Sequence, residues 1–322
     1  MKICVTGGAG FIGSHLVDRL LADGHQVVVL DDLSTGRLEN LSAVKGRIEF
    51  IEDDLRDKRA VARAVSGCEV VYHQGALAAV ARSVEKPEEV TEVNVGGTLN
   101  VLVASRDAKV RRVVFASSSS VYGDTPELPK VETMPLSPRS PYAASKAAGE
   151  AYLSAFQASY GLETVIFRYF NVYGPRQSPR SLYAAAVPRF VEALLAGTAP
   201  TIYGDGLQTR DFTFVGDVVD ALVRASNALR AVDGPMNLGG GQRISILDLV
   251  GVIARAVGHV GRPRHEPTRV GDVRDSLADI RRAQIALGWN PRTPLDAGIA
   301  RVVEAFPRKA DPAINAARKD LS

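Results

Sequence analysis

Cysteine is nearly absent from this chain of 322 residues: Cys4 and Cys68 are the only two, each in or beside an apolar run. Such a chain has no disulfide framework and no thiolate metal cluster to build on, so a reducing cytoplasm is the expected compartment and no metal is expected. Long apolar runs are missing too; none approaches the ~20 residues that span a bilayer. The opening Met1-Lys-Ile-Cys-Val-Thr6 reads as a strand rather than a secretory leader, and no membrane partner is expected. Charge of either sign is scarce in excess. Thirty-nine Lys and Arg against 36 Asp and Glu leave a net +3. Arg111-Arg112 and Arg281-Arg282 read as solvated faces, so nucleic acid is not an expected partner. Internal repeats and low-complexity linkers are lacking as well. What is present is a 46% hydrophobic content, enough to core one or two domains.

Those hydrophobic residues fall into an alternating pattern. Short β-branched or apolar runs at 2–6, 26–30, 48–51, 70–73, 112–117 and 163–168 read as strands. Helical periodicity at 12–22, 61–65, 87–105 and 142–160 separates most of them. This order predicts an α/β fold: a parallel, doubly wound sheet with helices on both faces. Beyond residue 168 the pattern loosens. Residues 171–183 are rich in Gly, Pro, Arg and Ser, a helix is expected over 184–195, and two short strands over 201–214. Further amphipathic helices are expected at 245–257 and 295–306. The predicted organisation is a dinucleotide-binding domain over 1–170, completed by about 212–240. A smaller α+β substrate lobe takes 171–211 and 241–310, and 311–322 forms a tail.

Strand one runs into Thr6-Gly-Gly-Ala-Gly-Phe-Ile-Gly13, and a helix follows. Glycines at 7, 10 and 13 between a strand and a helix are the dinucleotide-binding arrangement. Their missing side chains let the backbone approach a pyrophosphate, whose charge meets the helix N-terminus. Phe11 and Ile12 complete that loop. Strand two ends at Asp31-Asp32, where a carboxylate accepts from both ribose hydroxyls and repels a 2′-phosphate; NAD is therefore expected over NADP. Asp53-Asp54-Leu55, after strand three, is either the adenine edge of the site or a helix cap.

Strand five ends in Ala116-Ser-Ser-Ser-Ser-Val-Tyr-Gly123, at the side of the sheet where ligands bind. A hydroxyl there can hydrogen-bond a substrate oxygen. Tyr142 and Lys146 lie four residues apart in an Ala-rich segment, so one helical face carries both. A phenol ionises near pH ~10, and a neighbouring ammonium is expected to move that value toward the working range.

Together these motifs, with Arg168-Tyr-Phe-Asn-Val-Tyr-Gly174, resemble the extended short-chain dehydrogenase/reductase family over almost the whole chain, through Trp289. Arg210-Asp-Phe-Thr-Phe-Val215 and Val270-Gly-Asp272 carry the resemblance into the second half. Within that family the chain is similar to the NAD-dependent nucleotide-sugar 4-epimerases. The resemblance implies that Tyr142 is the base, that Lys146 orients the cofactor ribose and lowers the phenol pKa, and that Ser118 is the hydroxyl partner. Ser119 and Ser120 stay open as substitutes. It implies a UDP-sugar substrate that loses and regains hydride at position 4 through a transient 4-keto sugar. Arg210 and Arg269 would anchor the diphosphate, Asn171 would meet the nucleotide-sugar and Asp272 the nucleotide ribose. A homodimer through the 87–105 and 142–160 helices is the family's common assembly.

Two departures from the glucose/galactose pattern stand out. His73-Gln-Gly-Ala-Leu-Ala78 lacks the lysine often found shortly after that histidine, and Ser276 stands where galactose-restricted enzymes carry a tyrosine. A small residue leaves room for an N-acetyl group, and the strings at 183–188 and 273–280 resemble the N-acetylhexosamine-active subgroup. UDP-GlcNAc and UDP-GalNAc are therefore expected substrates, beside UDP-Glc and UDP-Gal. The rival readings are a nucleotide-sugar 4,6-dehydratase or decarboxylase, and a non-enzymatic NAD sensor. The dehydratases resembled here place Asp-Glu directly after the catalytic hydroxyl, and the decarboxylases commonly keep the Glu; this chain has Ser119-Ser120.

Overall fold

The computed structural model describes residues 1–179, 185–228, 233–259, 261–268 and 273–306. In chain order the first half contains β1 (Lys2–Thr6), α1 (Phe11–Ala22), β2 (Gln26–Asp31), β3 (Ile48–Glu52), α2 (Lys58–Val65) and β4 (Val70–His73). It continues with α3 (Val80–Glu85), α4 (Pro87–Thr91), α5 (Gly97–Asp107), β5 (Arg112–Ser118), α6 (Pro141–Tyr160) and β6 (Glu163–Tyr169). The second half holds β7 (Val172–Tyr173), α7 (Ala186–Leu195), β8 (Thr201–Tyr203), β9 (Thr209–Asp211), β10 (Thr213–Phe214) and α8 (Val215–Asn227). After these come β11 (Pro235–Leu238), β12 (Arg243–Ser245), α9 (Ile246–Val257), β13 (Arg264–Glu266), α10 (Arg281–Leu287) and α11 (Leu295–Ala305).

Seven strands form one parallel sheet in the order β11-β6-β5-β4-β1-β2-β3. The chain winds outward from β1 in both directions, so a crevice opens beside the carboxyl end of β1, where the order reverses. Successive side chains on each strand supply opposite faces. Ile3 and Val5 pack with α1 and α8, whereas Cys4 packs with α2, α5 and α6. Both faces are covered, which is why these strands read as continuous apolar runs rather than alternating ones. A separate core gathers α7, α9 and α11 around Phe190, Leu249, Ile253 and Ile299.

The doubly wound parallel sheet is as expected. Several details differ from the sequence reading. The helix expected at 87–105 is broken: Pro87 starts α4, a π-helical turn occupies Glu92–Gly96, and α5 continues to Asp107. Within that turn Asn94 sends its carboxamide to both backbone groups of Leu77 and to Ser145 Oγ, a tertiary demand that periodicity does not encode. The 201–214 segment makes three short strands rather than two. Helices α3 and α10 and strands β7, β11, β12 and β13 were not anticipated. The tail at 311–322 lies outside the described residues.

Candidate active site

A cleft of about 720 Å³ opens at the carboxyl ends of the strands around β1. Gly7, Gly10, Phe11, Ile12 and Gly13 line it from the β1–α1 loop, Asp31 and Asp32 from β2, and Asp53, Asp54 and Leu55 from the end of β3. Tyr142 and Lys146 face it from α6. Every expected cofactor residue therefore borders one space.

The loop's geometry explains its composition. A Cβ on Gly13 would sit 2.1 Å from the Gly7 carbonyl, closer than any packing permits. Asp31 braces the same loop: Oδ2 accepts from Ala9 N at 2.9 Å, and Oδ1 accepts from Leu33 N at 2.9 Å. Burial pushes its carboxyl above the usual range, with those amides pulling it back. Asp32 Oδ1 accepts from both Ser34 N and Ser34 Oγ. The helix-cap alternative for Asp53-Asp54 falls away, because Asp57 caps α2 through the amides of Arg59 and Ala60. Asp54 instead pairs with Arg56, whose guanidinium holds its carboxyl below the ordinary range.

Helix α6 starts cleanly because Ser140 caps Ala143 N and Pro141 stands at the first turn. That start sets Tyr142 one turn below Lys146. Of the three serines left open, Ser118 is the one whose hydroxyl meets the Tyr142 phenol. It stands at the end of β5 and accepts from Ser120 N and Ser120 Oγ, which turn away into a 3-10 turn. The phenol pKa differs from expectation. It is raised, not lowered, because burial outweighs the Ser118 hydrogen bond. Lys146 Nζ lies 6.0 Å from the tyrosine ring centroid and donates to Ala116 O at 2.8 Å. Its own ammonium is desolvated, which pushes its pKa down to about 8, with Glu150 pulling upward.

Several functional candidates escaped the sequence reading. Gln74 lines the cleft, accepts from Tyr169 Oη at 3.0 Å, and keeps a buried Nε2 without a partner. Its only sequence signal is its place after β4. Behind the phenol–lysine face, Glu150 takes both Arg168 Nε (2.9 Å) and Nη2 (2.7 Å), and accepts from Ser117 Oγ at 2.5 Å. His73 bridges Thr6 Oγ1 and Thr98 Oγ1. Since Thr98 donates to Asn94 O, the histidine donates from Nε2; burial keeps it neutral, pushed down to about 3.

The expected substrate residues form a second cluster. Asn171 adopts a left-handed φ of 29° after β6, and its Nδ2 donates to Ser276 Oγ (3.2 Å) and Asp211 O (3.1 Å). Asn171 and Ser276, far apart in sequence, thus touch. Arg210 lies on β9 beside them, donating to the carbonyls of Thr209 and Arg274. Arg269, Asp272 and Tyr183 lie outside the described residues.

A parallel sheet wound both ways, a glycine loop at its switch point and a Tyr-Lys pair facing the same cleft, with a serine hydroxyl against the phenol, define an NAD-dependent oxidoreductive fold. Residues 3–239 match the NAD dependent epimerase/dehydratase family, and the chain belongs to it. Its cofactor is NAD. The chain is 48% identical over 314 residues (96% of this chain, all of the other) to a UDP-glucose 4-epimerase of Mycolicibacterium smegmatis. A Thermus thermophilus UDP-glucose 4-epimerase solved with NAD superposes with a TM-score of 0.88 at 43% identity, covering 97% of this chain and 100% of that one. A UDP-N-acetylglucosamine 4-epimerase of Methanobrevibacter ruminantium, solved with UDP-N-acetylmuramic acid, gives 0.91 at 37%, covering 95% and 97%. The residues present fit NAD: the side-chain-free loop, the inward carboxyl of Asp31 and the unpartnered Gln74 Nε2 offer the contacts a dinucleotide requires.

Proposed function

We propose that this enzyme is an isomerase that inverts position 4 of a UDP-hexose, with UDP-GlcNAc/UDP-GalNAc as good substrates and UDP-Glc/UDP-Gal also accepted. The observation that carries the reading is that Tyr142 and Lys146 line the cleft with the Ser118 hydroxyl against the phenol, and that Ser119-Ser120 rather than a carboxylate follows that hydroxyl. Bound NAD supplies a reversible hydride acceptor, held by Gly7, Gly10, Gly13, Asp31 and Lys146. Tyr142 exchanges the proton of the sugar's 4-hydroxyl, and Ser118 fixes that oxygen by hydrogen bonding to it and to the phenol. An acid in place of Ser119-Ser120 would be needed to expel the 6-hydroxyl, so the chemistry stays with reversible oxidation at one carbon.

Substrate choice follows from the second cluster. Ser276 is buried beside Asn171, and the family resemblance implies that a tyrosine ring there would take the space an N-acetyl group needs. An NMR assay of purified enzyme with UDP-GlcNAc and UDP-glucose in parallel, without added NAD, tests the reaction; loss of water or carbon dioxide from the product contradicts it. Ser276→Tyr is expected to lower kcat/KM for UDP-GlcNAc at least ~10-fold more than for UDP-glucose. Equal losses on both sugars would remove the specificity assignment.

A further inference from the structure

The residue between Arg210 and Phe212, at the end of β9, does more than continue a strand. Asp211 is fully buried, yet no ion pair holds it among the described residues. Both of its carboxylate oxygens are instead taken by backbone amides of two separate segments. Oδ1 accepts from Gly240 N at 2.6 Å, just beyond β11 of the central sheet, and Oδ2 accepts from Ala278 N at 3.0 Å. Gly241 N adds a third donor. Its main chain does the rest. Asp211 O accepts from Asn171 Nδ2, and Asp211 N donates to Ser276 Oγ at 3.4 Å. One residue thus touches both side chains proposed to meet the sugar, and its carboxylate ties the 276–278 segment to the sheet edge.

The surrounding sequence is shaped around this carboxylate. A Cβ on Gly239 would approach Asp211 Oδ2 to 2.7 Å, so only glycine lets the loop close over it. We propose that Asp211 is a positioning residue for substrate: its carboxylate straps the 276–278 segment and the 239–241 loop together, holding Asn171 and Ser276 in register, and substrate affinity is lost when the strap opens. The proposal rests on the reading that Asn171 and Ser276 meet the nucleotide-sugar.

Protonation opens the strap for a geometric reason. Each oxygen faces an N–H, so a proton on either one removes the charge that strengthens these bonds and adds an O–H donor among backbone donors, which loosens the hold on both segments. Burial places this event within reach, since the carboxyl is pushed up to about 6. The charged groups on adjoining elements have partners of their own. Arg210 bonds the Thr209 and Arg274 carbonyls, Asp275 bonds Thr209, Asp279 pairs with Arg281, and Lys130 bonds Thr125. Arg243, on the paired strand β12, acts on Asp275. None of them contributes to the shift at Asp211, and Asp275 and Asp279 are both held below the usual range, so they stay ionised where Asp211 titrates.

The test is the pH profile of KM and kcat for the NAD-loaded enzyme between pH 7.5 and 5, in wild type and Asp211→Asn. Asn offers one acceptor where two are needed. Wild-type KM should rise about tenfold as pH falls through 6, with kcat and NAD content little changed; Asp211→Asn should show a raised KM that is flat across the range. Hydrogen exchange at the amides of Gly240 and Ala278 in wild type supplies a readout that needs neither the variant to fold nor the substrate to be right. Protection should fall below pH 6. A flat wild-type KM together with unchanged protection overturns the proposal. Failure to turn over any UDP-hexose at any pH overturns the proposed function instead, while the exchange data still decide whether the strap exists.

Discussion

At the scale of single residues, the proposed catalytic pair sits in tension with its surroundings. Tyr142 is driven toward its neutral form by burial, and Lys146 is driven toward its uncharged form by the same cause. The base proposed to take a proton is therefore enclosed in a medium that resists its ionisation. Ser118, meeting the phenol, is the group that opposes this. Tyr142→Phe is expected to lower turnover by about 10²–10⁴ while NAD still copurifies, as read by absorbance and product assay; undiminished turnover would refute the proposed base. Lys146 carries a stability consequence whose sign follows from linkage. Its folded pKa, about 8, lies below the unfolded value of ~10.4, so the unfolded chain holds more protons between these values. Stability from this group therefore rises with pH through 8 to 10 and is lowest at neutrality. Lys146→Met should raise thermal stability at pH 7 by about 1–2 kcal/mol, after allowing for the lost bond to Ala116, while abolishing turnover. A less stable variant at pH 7 would show that the ammonium's contacts outweigh its desolvation.

Among elements, the loops and caps do the positioning. The β1–α1 loop tolerates no side chain at residue 13, so Gly13→Ala is expected to cost NAD retention, measured as cofactor copurifying with the protein. Asp57, which caps α2 away from the cleft, separates stability from function. Asp57→Ala should lower the midpoint of denaturant unfolding and leave kcat unchanged. The elements themselves were largely legible in the sequence. Strands β1 to β6 and helices α1, α6, α9 and α11 carry their own periodicity and their own start signals, such as Ser140-Pro141 before α6 and Ser245 before α9. The break between α4 and α5 was not legible, because it answers a hydrogen-bonding demand from Leu77 and Ser145 rather than a local preference. Strand β11 was missed for a similar reason. Four residues of Pro-Met-Asn-Leu acquire strand character only by pairing with β6.

For the whole molecule, the doubly wound sheet places the cleft at its switch point, and a second core gathers α7, α9 and α11. No helix among the described residues is long and apolar enough to cross a membrane. The exposed apolar side chains include Val84 on α3 and Tyr152 and Tyr160 on α6, near the helices expected to pair in a homodimer. Sedimentation equilibrium should give twice the 34.4 kDa chain mass, and a monomer at micromolar concentration would remove that expectation. Stripping NAD should lower Tm, since a ligand bound only by the folded state stabilises it by mass action.

The sequence alone determined the sheet order's parallel character, the glycine loop, the NAD preference signalled by Asp31 and the pairing of Tyr142 with Lys146. All of these rest on short-range spacing, which periodicity and motif preserve. Tertiary structure alone decided which serine meets the phenol, that the phenol pKa rises instead of falling, and that Asn171, Asp211 and Ser276 form one cluster. Those outcomes depend on burial and on contacts between residues 40 to 105 positions apart, and neither is written in any local stretch of chain.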